Sequence, residues 1–168
     1  MKLAGGAAFT AAVTAQAAKP KRGVQKGRIN QSVVHWCWGE RGWKIEDTAK
    51  AAADLGCKSV ELVSPDNWPV LKKHGLTCAI APNGVEGPPF MRGFNNPDYH
   101  DMVIKATKET IDACAKFGVK NVIAFNGYKW KKAEDPQSGE ISAEQGAKNC
   151  VKGLKRIMGY AEKKGVTI

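Results

Sequence analysis

The sequence of 168 residues lacks several features that would assign it to a special class. No run approaches the roughly 18 consecutive apolar residues that a membrane-spanning helix needs, which excludes a polytopic membrane protein. No C-x-x-C pair and no close cluster of cysteine with histidine is present, so a zinc site has no support. The cysteines number five, and an odd count argues against a fully paired disulfide framework. The remaining composition, 43% hydrophobic and 25% charged, is typical of one globular domain with a core.

Acidic side chains are missing from the N-terminal segment. Residues 1–28 hold six of the 26 Lys and Arg and none of the 16 Asp and Glu, so residues 29–168 carry only +4 of the formal charge of +10. Residues 19–28, KPKRGVQKGR, have five basic side chains without an interleaved aromatic, which indicates a basic linker. We therefore expect no nucleic-acid partner, although a basic arm is the alternative interpretation of this stretch.

Residues 1–18 have the layout of a secretory signal peptide. One Lys precedes a mildly apolar stretch of small residues, and Ala15-Gln16-Ala17 is a small-x-small cleavage site. The prediction is an exported, periplasmic protein. If the stretch is instead a disordered Ala-rich tail and the leader does not function, the protein is cytoplasmic.

From residue 30 onward, segments with strand and helix patterns alternate. Helices are predicted at 45–55, 67–74, 98–117 and from Ser142 onward, where Gln145 completes a capping box. Strands are predicted at 31–36, 59–63, 76–81 and 121–125, and a fifth begins at 166–168. Each helix ends on a glycine, at positions 56, 75, 118 and 165. Because alternating strands and helices need right-handed crossovers, the predicted fold class is α/β with parallel βα repeats.

The predicted loops are asymmetric. Helix-to-strand links have two or three residues, whereas the strand-to-helix links at 37–44, 82–97 and 127–141 are long. Long, polar links are typical of the ligand face at the carboxyl ends of parallel strands, so we expect the active site there. Two architectures fit this spacing: a five-stranded doubly wound sheet, and the first half of an eight-stranded barrel. No G-x-G-x-x-G or Walker-type phosphate loop supports the first.

Two side chains at predicted strand ends have competing interpretations. His35 closes the first strand, where it is either a ligand for substrate or metal or a packed histidine. Glu61 interrupts the apolar run SVELV, and a carboxylate in a buried strand is costly without a partner. It therefore indicates a polar site in the barrel mouth or a salt bridge to an interior Lys or Arg. His74 and His100 are predicted on helix surfaces, with structural roles.

Three further residues are candidates for substrate binding. Asn83 and Asn126 each follow a strand end, where an amide could orient a substrate oxygen, although Asn-Gly pairs are also ordinary turn chemistry. Arg92 lies in the long loop 82–97 and could close on a carboxylate or phosphate, or be a surface arginine.

Several local sequences resemble one enzyme family. INQSVVHWCW, CKSVELVSPDNWPVLKKHGL, APNGVEGPPFMRGFNNP and GVKNVIAFNGYK are similar to segments of hydroxypyruvate isomerase and its relatives in the xylose-isomerase-like TIM-barrel superfamily. The resemblance covers residues 29–168 and corresponds to the N-terminal half of the family's TIM barrel, truncated in strand five. It implies a substrate pocket with His35, Glu61, Asn83 and Asn126 as the best positional matches.

The resemblance also implies an activity. The type reaction is aldose–ketose isomerisation of a small hydroxy-carbonyl compound, hydroxypyruvate to tartronate semialdehyde, assisted by a divalent metal, Mg or Mn. In the family the metal ligands begin on strand five, so we expect the ligands and catalytic glutamates beyond residue 168 and an inactive fragment.

Other classes remain open. The alternatives are a non-catalytic sugar- or small-acid-binding barrel and an endonuclease-IV-like nuclease, which needs more histidines than the three present. The expected partner is a small molecule and not a membrane. Unpaired strand edges of a half barrel also predict a homo-oligomer or aggregation.

Overall fold

A computed structural model of the chain describes residues 27–168. The predicted signal peptide, residues 1–18, and the basic linker up to residue 26 lie outside the described residues. The regular elements are β1 (Ser32–Val34), α1 (Trp36–Gly39), α2 (Ile45–Leu55), β2 (Ser59–Glu61), α3 (Trp68–Lys73), α4 (His100–Phe117), β3 (Trp130–Lys132), β4 (Asp135–Glu140) and α5 (Ala143–Lys164). Short 3-10 turns at Pro65–Asn67 and Pro97–Tyr99 lead into α3 and α4.

The strands of the repeats form one parallel arrangement. β1 pairs with β2 in parallel, with Val33 opposite Val60. Parallel bridges then join Ser59 to Thr77, Ala81 to Val122 and Asn121 to Thr167. We refer to residues 77–81, 121–126 and 166–168 as sheet segments 3, 4 and 5. The order β1, β2, 3, 4, 5 follows the chain, which confirms the predicted parallel βα repeats and is the order of a barrel rather than of a doubly wound sheet.

The core lies between this sheet and the helices. Apolar side chains that face the helices include Val60, Val122 and Val166, and they pack with Ile111 of α4 and Ile157 of α5. Because side chains alternate across a strand, the residues between them face the opposite side, which corresponds to the barrel axis. We call this opposite side the axial face.

Three predicted elements differ from the structure. The first strand ends at Val34 instead of residue 36, because the His35 carbonyl accepts hydrogen bonds from the amides of Trp38 and Gly39 and turns the chain into α1. Segments 3, 4 and 5 are joined by isolated bridges rather than continuous ladders. The predicted loop 127–141 contains an antiparallel hairpin, β3–β4.

The predicted surface position of His100 is wrong. The side chain is 2% exposed, and its Nε2 donates to the Phe94 carbonyl at 2.8 Å. The space for the ring comes from Gly153 of α5, where an added Cβ would lie 2.9 Å from that nitrogen. The structural role expected for His100 agrees with this packing.

All five cysteines are free thiols. Cys78 and Cys114 are buried in the core, whereas Cys37 is exposed. Desolvation raises the pKa of the Cys78 thiol and raises the pKa of Cys114 to about 12. The buried thiols behave as small apolar side chains, as their apolar surroundings in the sequence predict.

An ion-pair cluster joins α2 to α3 and makes stability depend on pH. Glu46 lies 2.8 Å from Lys73 Nζ and 2.7 Å from His74 Nε2, and these two hydrogen bonds hold the pKa of the Glu46 carboxyl below its ordinary value of 4.5. A lowered folded-state pKa contributes stability that is present above the unfolded pKa and is lost as pH falls through the folded value. We expect Glu46→Gln to be less stable than wild type at pH 7 and the difference to shrink as pH falls from about 4.5 through the lowered pKa of Glu46.

Chemical denaturation of both proteins between pH 3 and pH 7 measures this difference. Glu86→Gln is the control, because Glu86 forms no ion pair within residues 27–168. A difference between wild type and Glu46→Gln that stays constant over this range would contradict the prediction.

Candidate functional site

Four of the five predicted site residues lie at the carboxyl ends of the parallel strands. His35 directly follows β1, Glu61 is the last residue of β2, Asn83 follows segment 3, and Asn126 closes segment 4. Since the strands are parallel, these positions share one rim of the sheet. The structure brings these four residues to one rim, but their side chains differ in the face that they present.

The His35 side chain is on the helix-facing side. Its ring nitrogen Nδ1 is hydrogen-bonded to Thr48 Oγ1 at 2.8 Å, and Thr48 is a buried residue of α2. The other ring nitrogen, Nε2, faces Gly39 of α1, where an added Cβ would lie 3.2 Å from it. The ring is therefore held between α1 and α2, which agrees with the packed-histidine interpretation and not with a ligand on the axial face.

Glu61 lies on the axial face. Val33 and Val60 pack against the core, so the paired residues Val34 and Glu61 point to the opposite side. The carboxylate is half-buried, and within residues 27–168 it has neither a hydrogen bond nor an ion pair. The salt bridge considered from the sequence does not form there. The carboxylate is thus available to a ligand at the rim.

A strained residue follows Glu61. Leu62 has a φ of 55°, the only positive value of a non-glycine residue in the described part of the chain. The left-handed conformation costs a residue with a Cβ about 1 kcal/mol. Its amide donates to the Ile80 carbonyl at 3.0 Å, so Leu62 is still paired with segment 3.

Asn83 is almost fully buried and only half satisfied. Its Oδ1 accepts a hydrogen bond from the Val85 amide at 3.2 Å, which is the turn chemistry expected of an Asn-Gly pair. Its Nδ2 has no hydrogen-bond partner among the described residues. The amide orientation is fixed, because the reverse assignment would place two N–H groups against each other. A buried donor is therefore left for another acceptor.

This orphan donor leads to a prediction about stability. We expect Asn83→Ala to change the free energy of unfolding by less than about 1 kcal/mol, because the loss of one hydrogen bond is offset by removal of an unsatisfied amide. Asn149→Ala is the matched control: Asn149 is also buried, but its Nδ2 donates to the Asn95 carbonyl and its Oδ1 accepts from Gln145, both at 2.8 Å. We expect about 2 kcal/mol there. Urea denaturation measures both, and equal losses would refute the prediction.

Asn126 borders a cavity on this rim. The cavity has a volume of about 700 Å³ and lies between the end of segment 4 and the first turns of α5. Its walls include Asn95, Asn126, Gly127, Lys129, Glu140, Ile141, Ser142, Gly146 and Cys150. Lys129 and Glu140 form an ion pair at 2.5 Å, and the Asn126 Oδ1 accepts a hydrogen bond from the Cys150 thiol at 3.7 Å. Burial raises the pKa of that thiol.

The cavity adjoins an open strand edge. Segment 5 pairs with residues 120–122 through the hydrogen bonds Val122 N to Thr167 O and Thr167 N to Lys120 O. Beyond Ile168 the same edge of segment 4, residues 123–126, has no strand beside it in the described chain.

The fifth predicted residue, Arg92, is engaged by a neighbouring loop. Its guanidinium forms an ion pair with Glu134 at the tip of the β3–β4 hairpin. It also lines a groove of about 430 Å³ beside α4, together with Met102 and Lys105. Arg92 thus connects the two long loops of the rim.

Sequence reasoning missed the residues that hold these two loops together. The buried side chains of Asn95 and Asn96 donate from Nδ2 to the carbonyls of Tyr128 and Lys131, at 2.6 and 2.8 Å. The Asn95 backbone amide also donates to the Asn126 backbone carbonyl at 2.7 Å. The Asn-Asn-Pro sequence signalled only the turn before α4, because the partners lie more than 30 residues away.

An aromatic cluster covers the end of segment 4. Phe90 lies edge-on to Phe125, with ring centroids 6.4 Å apart, and 6.0 Å from Tyr128, which in turn contacts Trp130 at 5.3 Å. Val122 and Ala124 pack toward the core, so Phe125 is on the axial face. The cluster is therefore an apolar wall of the rim.

The described residues do not fit a metal centre. Between residues 27 and 168, no group of three or more His, Cys, Asp and Glu side chains is placed to hold a metal ion.

In the same part of the chain no helix is long and apolar enough to cross a membrane.

The parallel βα order and the rim of polar strand ends define part of a TIM barrel. The Xylose isomerase-like TIM barrel model matches residues 49–168, and the chain belongs to this family. No curated protein matches the sequence. Among solved structures, it is similar to D-psicose 3-epimerase from Clostridium cellulolyticum H10 with D-tagatose: 16% identity over 81% of this chain and 50% of that chain, with a TM-score of 0.58.

Two other solved structures show the same fold. A sugar phosphate isomerase/epimerase from Parabacteroides distasonis is 14% identical over 85% of this chain and 51% of its own, with a TM-score of 0.54. Mannonate dehydratase from Streptococcus suis serotype 2 is 16% identical over 82% of this chain and 52% of its own, also with a TM-score of 0.54. The chain spans about half the length of these structures.

Proposed function

We propose that this chain provides the substrate-binding part of an isomerase that acts on a small hydroxy-carbonyl compound of the hydroxypyruvate and tartronate semialdehyde type. The observation that carries the proposal is the Glu61 carboxylate, which lies on the axial face at the strand ends without a partner among the described residues. Membership in the Xylose isomerase-like TIM barrel family supports it, as do structural neighbours that are epimerases and isomerases.

The reaction class moves a proton between two adjacent carbons, one bearing a hydroxyl and the other a carbonyl. Such a substrate needs a hydrogen-bond acceptor for its hydroxyl and a donor for its carbonyl oxygen. Glu61 supplies the acceptor, and Asn83 Nδ2 supplies a donor when its surroundings open, since the amide is buried in the present conformation. Asn126 closes segment 4, but its Oδ1 already accepts a hydrogen bond from the Cys150 thiol of α5, so it borders the cavity beside α5 rather than the axial face.

The proposed role of these side chains is to bind and orient the substrate. The described residues offer no metal site, so no catalytic step is assigned to a metal here. In this proposal the Mg or Mn ligands and the glutamates that move the proton lie outside residues 27–168. Metal-dependent isomerase activity of the purified chain by itself would refute this part of the proposal.

Calorimetric titration with hydroxypyruvate and, separately, with D-fructose tests the binding role. We expect saturable binding of hydroxypyruvate and at least tenfold weaker binding by Glu61→Gln, since a hydrogen bond to a charged group contributes about 1.5–3 kcal/mol. Glu109→Gln is the matched control, because Glu109 lies on α4 and lines the groove beside it, and this variant should leave the affinity unchanged. Tighter binding of D-fructose would reassign the substrate to the larger sugars, and equal affinities of wild type and Glu61→Gln would refute the role of Glu61.

We also propose that the protein is exported to the periplasm and forms homo-oligomers. The leader-like residues 1–18 support the first proposal, and the unpaired edges of β1 and segment 4 in the described chain support the second. Cell fractionation tests the location, and light scattering during size-exclusion chromatography tests the assembly.

A further inference from the structure

The loop between segment 3 and α4 has two fixed ends. At one end Val85 is buried in the core, and its amide donates to Asn83. At the other end Gly93 is buried against segment 4, where an added Cβ would lie 2.3 Å from the carbonyl oxygen of Phe125. The seven residues between them, 86–92, are exposed or half-buried. We call these seven residues the flap.

Few contacts hold the flap to the rest of the molecule. Phe90 is 47% exposed and rests on Phe125 and Tyr128. The Met91 carbonyl accepts a hydrogen bond from the Tyr128 amide at 2.9 Å. The Arg92 guanidinium pairs with Glu134, and this pair is the only salt bridge from the flap to another element in residues 27–168.

The end of the flap near Val85 has the geometry of a hinge. Gly87 has a φ of 72° and no heavy atom within 4 Å of an added Cβ, so this end of the flap has room to change its backbone angles. Small conformational barriers at such positions allow loops to open on fast timescales while their anchored ends stay in place.

We propose that residues 86–92 form a flap over the carboxyl end of segment 4, and that the Arg92–Glu134 ion pair is the latch that keeps it closed. Opening moves Phe90 away from Phe125 and exposes the axial end of segment 4. It also loosens the chain that follows Asn83, whose Nδ2 has no partner in the closed state. The opening of the flap can be tested without a substrate. The idea that the flap controls access of a substrate to the rim rests on the proposed function.

The Arg92–Glu134 ion pair is weak enough to open readily. The Arg92 and Glu134 side chains are 32% and 56% exposed, so water and salt screen their attraction. An exposed pair of this kind shifts an equilibrium by a factor of about five at most. A closed flap held by a stronger, buried pair would not open on the timescale of ligand binding.

Amide hydrogen exchange of the whole chain tests the latch without a ligand. The Tyr128 amide reports on opening, because it donates to Met91 of the flap. The Ile141 amide is an internal control, since it donates to the Lys129 carbonyl within the hairpin at 2.6 Å. In Glu134→Gln we expect the Tyr128 amide to exchange about three to five times faster, with the Ile141 rate unchanged.

A second variant controls for the loss of charge. Glu144→Gln removes a more exposed carboxylate whose partner, Lys148, lies on the same helix, and it should leave the Tyr128 rate at the wild-type value. Raising the salt concentration should bring wild type toward Glu134→Gln and leave that variant unaffected.

The latch is refuted if Tyr128 exchanges equally fast in wild type and Glu134→Gln, or if Ile141 accelerates together with Tyr128, since the hairpin as a whole would then have loosened. Because this readout needs no substrate, failure of the hydroxypyruvate titration leaves it intact. Likewise, failure of the exchange experiment would leave the proposed substrate binding intact.

Discussion

Gly93→Ala is expected to destabilise the chain by about 3 kcal/mol and to lower Tm by about 10 °C. An added Cβ at this position lies 2.3–2.4 Å from the backbone atoms of Phe125 and Asn126. Backbone atoms of a paired segment cannot move aside as a side chain can. The substitution must therefore separate the loop from segment 4 and break the hydrogen bonds of the Phe94 and Asn95 amides to the Phe125 and Asn126 carbonyls.

Gly159→Ala is the matched control for this substitution. Gly159 lies in α5, and nothing is within 4 Å of an added Cβ. Because alanine is the better helix former, this variant should gain about 0.5–1 kcal/mol. Thermal denaturation of both variants measures the contrast. A Gly93→Ala protein as stable as wild type would show that the loop is not packed against segment 4 as described.

Phe94→Ala is expected to cost about 3–5 kcal/mol. Phe94 is 1% exposed and is among the largest fully buried side chains of the described part of the chain. Its ring lies against Gly153 of α5, at 2.7 Å from the position of an added Cβ, and its carbonyl accepts the hydrogen bond from His100. Truncation leaves a cavity between α4 and α5 that these long helices cannot close.

Phe117→Ala makes the same chemical change at a surface position. Phe117 is 43% exposed at the end of α4, with one aromatic neighbour, Trp68, at 5.5 Å. We expect a loss of about 1–2 kcal/mol there. Denaturation in guanidinium chloride measures both, and similar losses for the two variants would mean that Phe94 does not fill the core between α4 and α5.

The order of elements was predictable because its signals are local. Gly56, Gly118 and Gly165 adopt left-handed conformations, with φ of 87°, 79° and 64°, at the ends of the three longest helices. Ser142 caps α5 by accepting a hydrogen bond from the Gln145 backbone amide at 3.2 Å, which is one half of the predicted capping box, whereas the Gln145 side chain donates to Asn149. Such signals act within a few residues, so the sequence displays them directly.

The hairpin was not predictable in the same way. β4 (Asp135–Glu140) reads DPQSGE, which has no alternation of apolar and polar residues. Its position depends on partners far along the chain: Asn96 for Lys131, Arg92 for Glu134, and the Tyr99 hydroxyl, which accepts a hydrogen bond from the Ala133 amide. Propensity and periodicity contain no information about these distant contacts.

The candidate site was predictable in place but not in orientation. Parallel strands put His35, Glu61, Asn83 and Asn126 on one rim, and this followed from the strand ends alone. Which of them face the barrel axis depends on the register of each strand. His35 shares the helix-facing side with Val33, and its ring contacts Thr48 of α2, whereas Glu61 follows core-facing Val60 and lies on the axial face.

The five thiols differ in exposure, so their rates of chemical labelling report on how far the chain has unfolded. A thiol reacts with an alkylating reagent as the thiolate, so exposure and a low pKa both favour labelling. Exposed Cys37 should react in the native state, whereas Cys114, buried and with a pKa of about 12, should react only when the core comes apart. Counting labelled cysteines by mass at successive times would thus separate fraying at the surface from global unfolding, without an engineered probe.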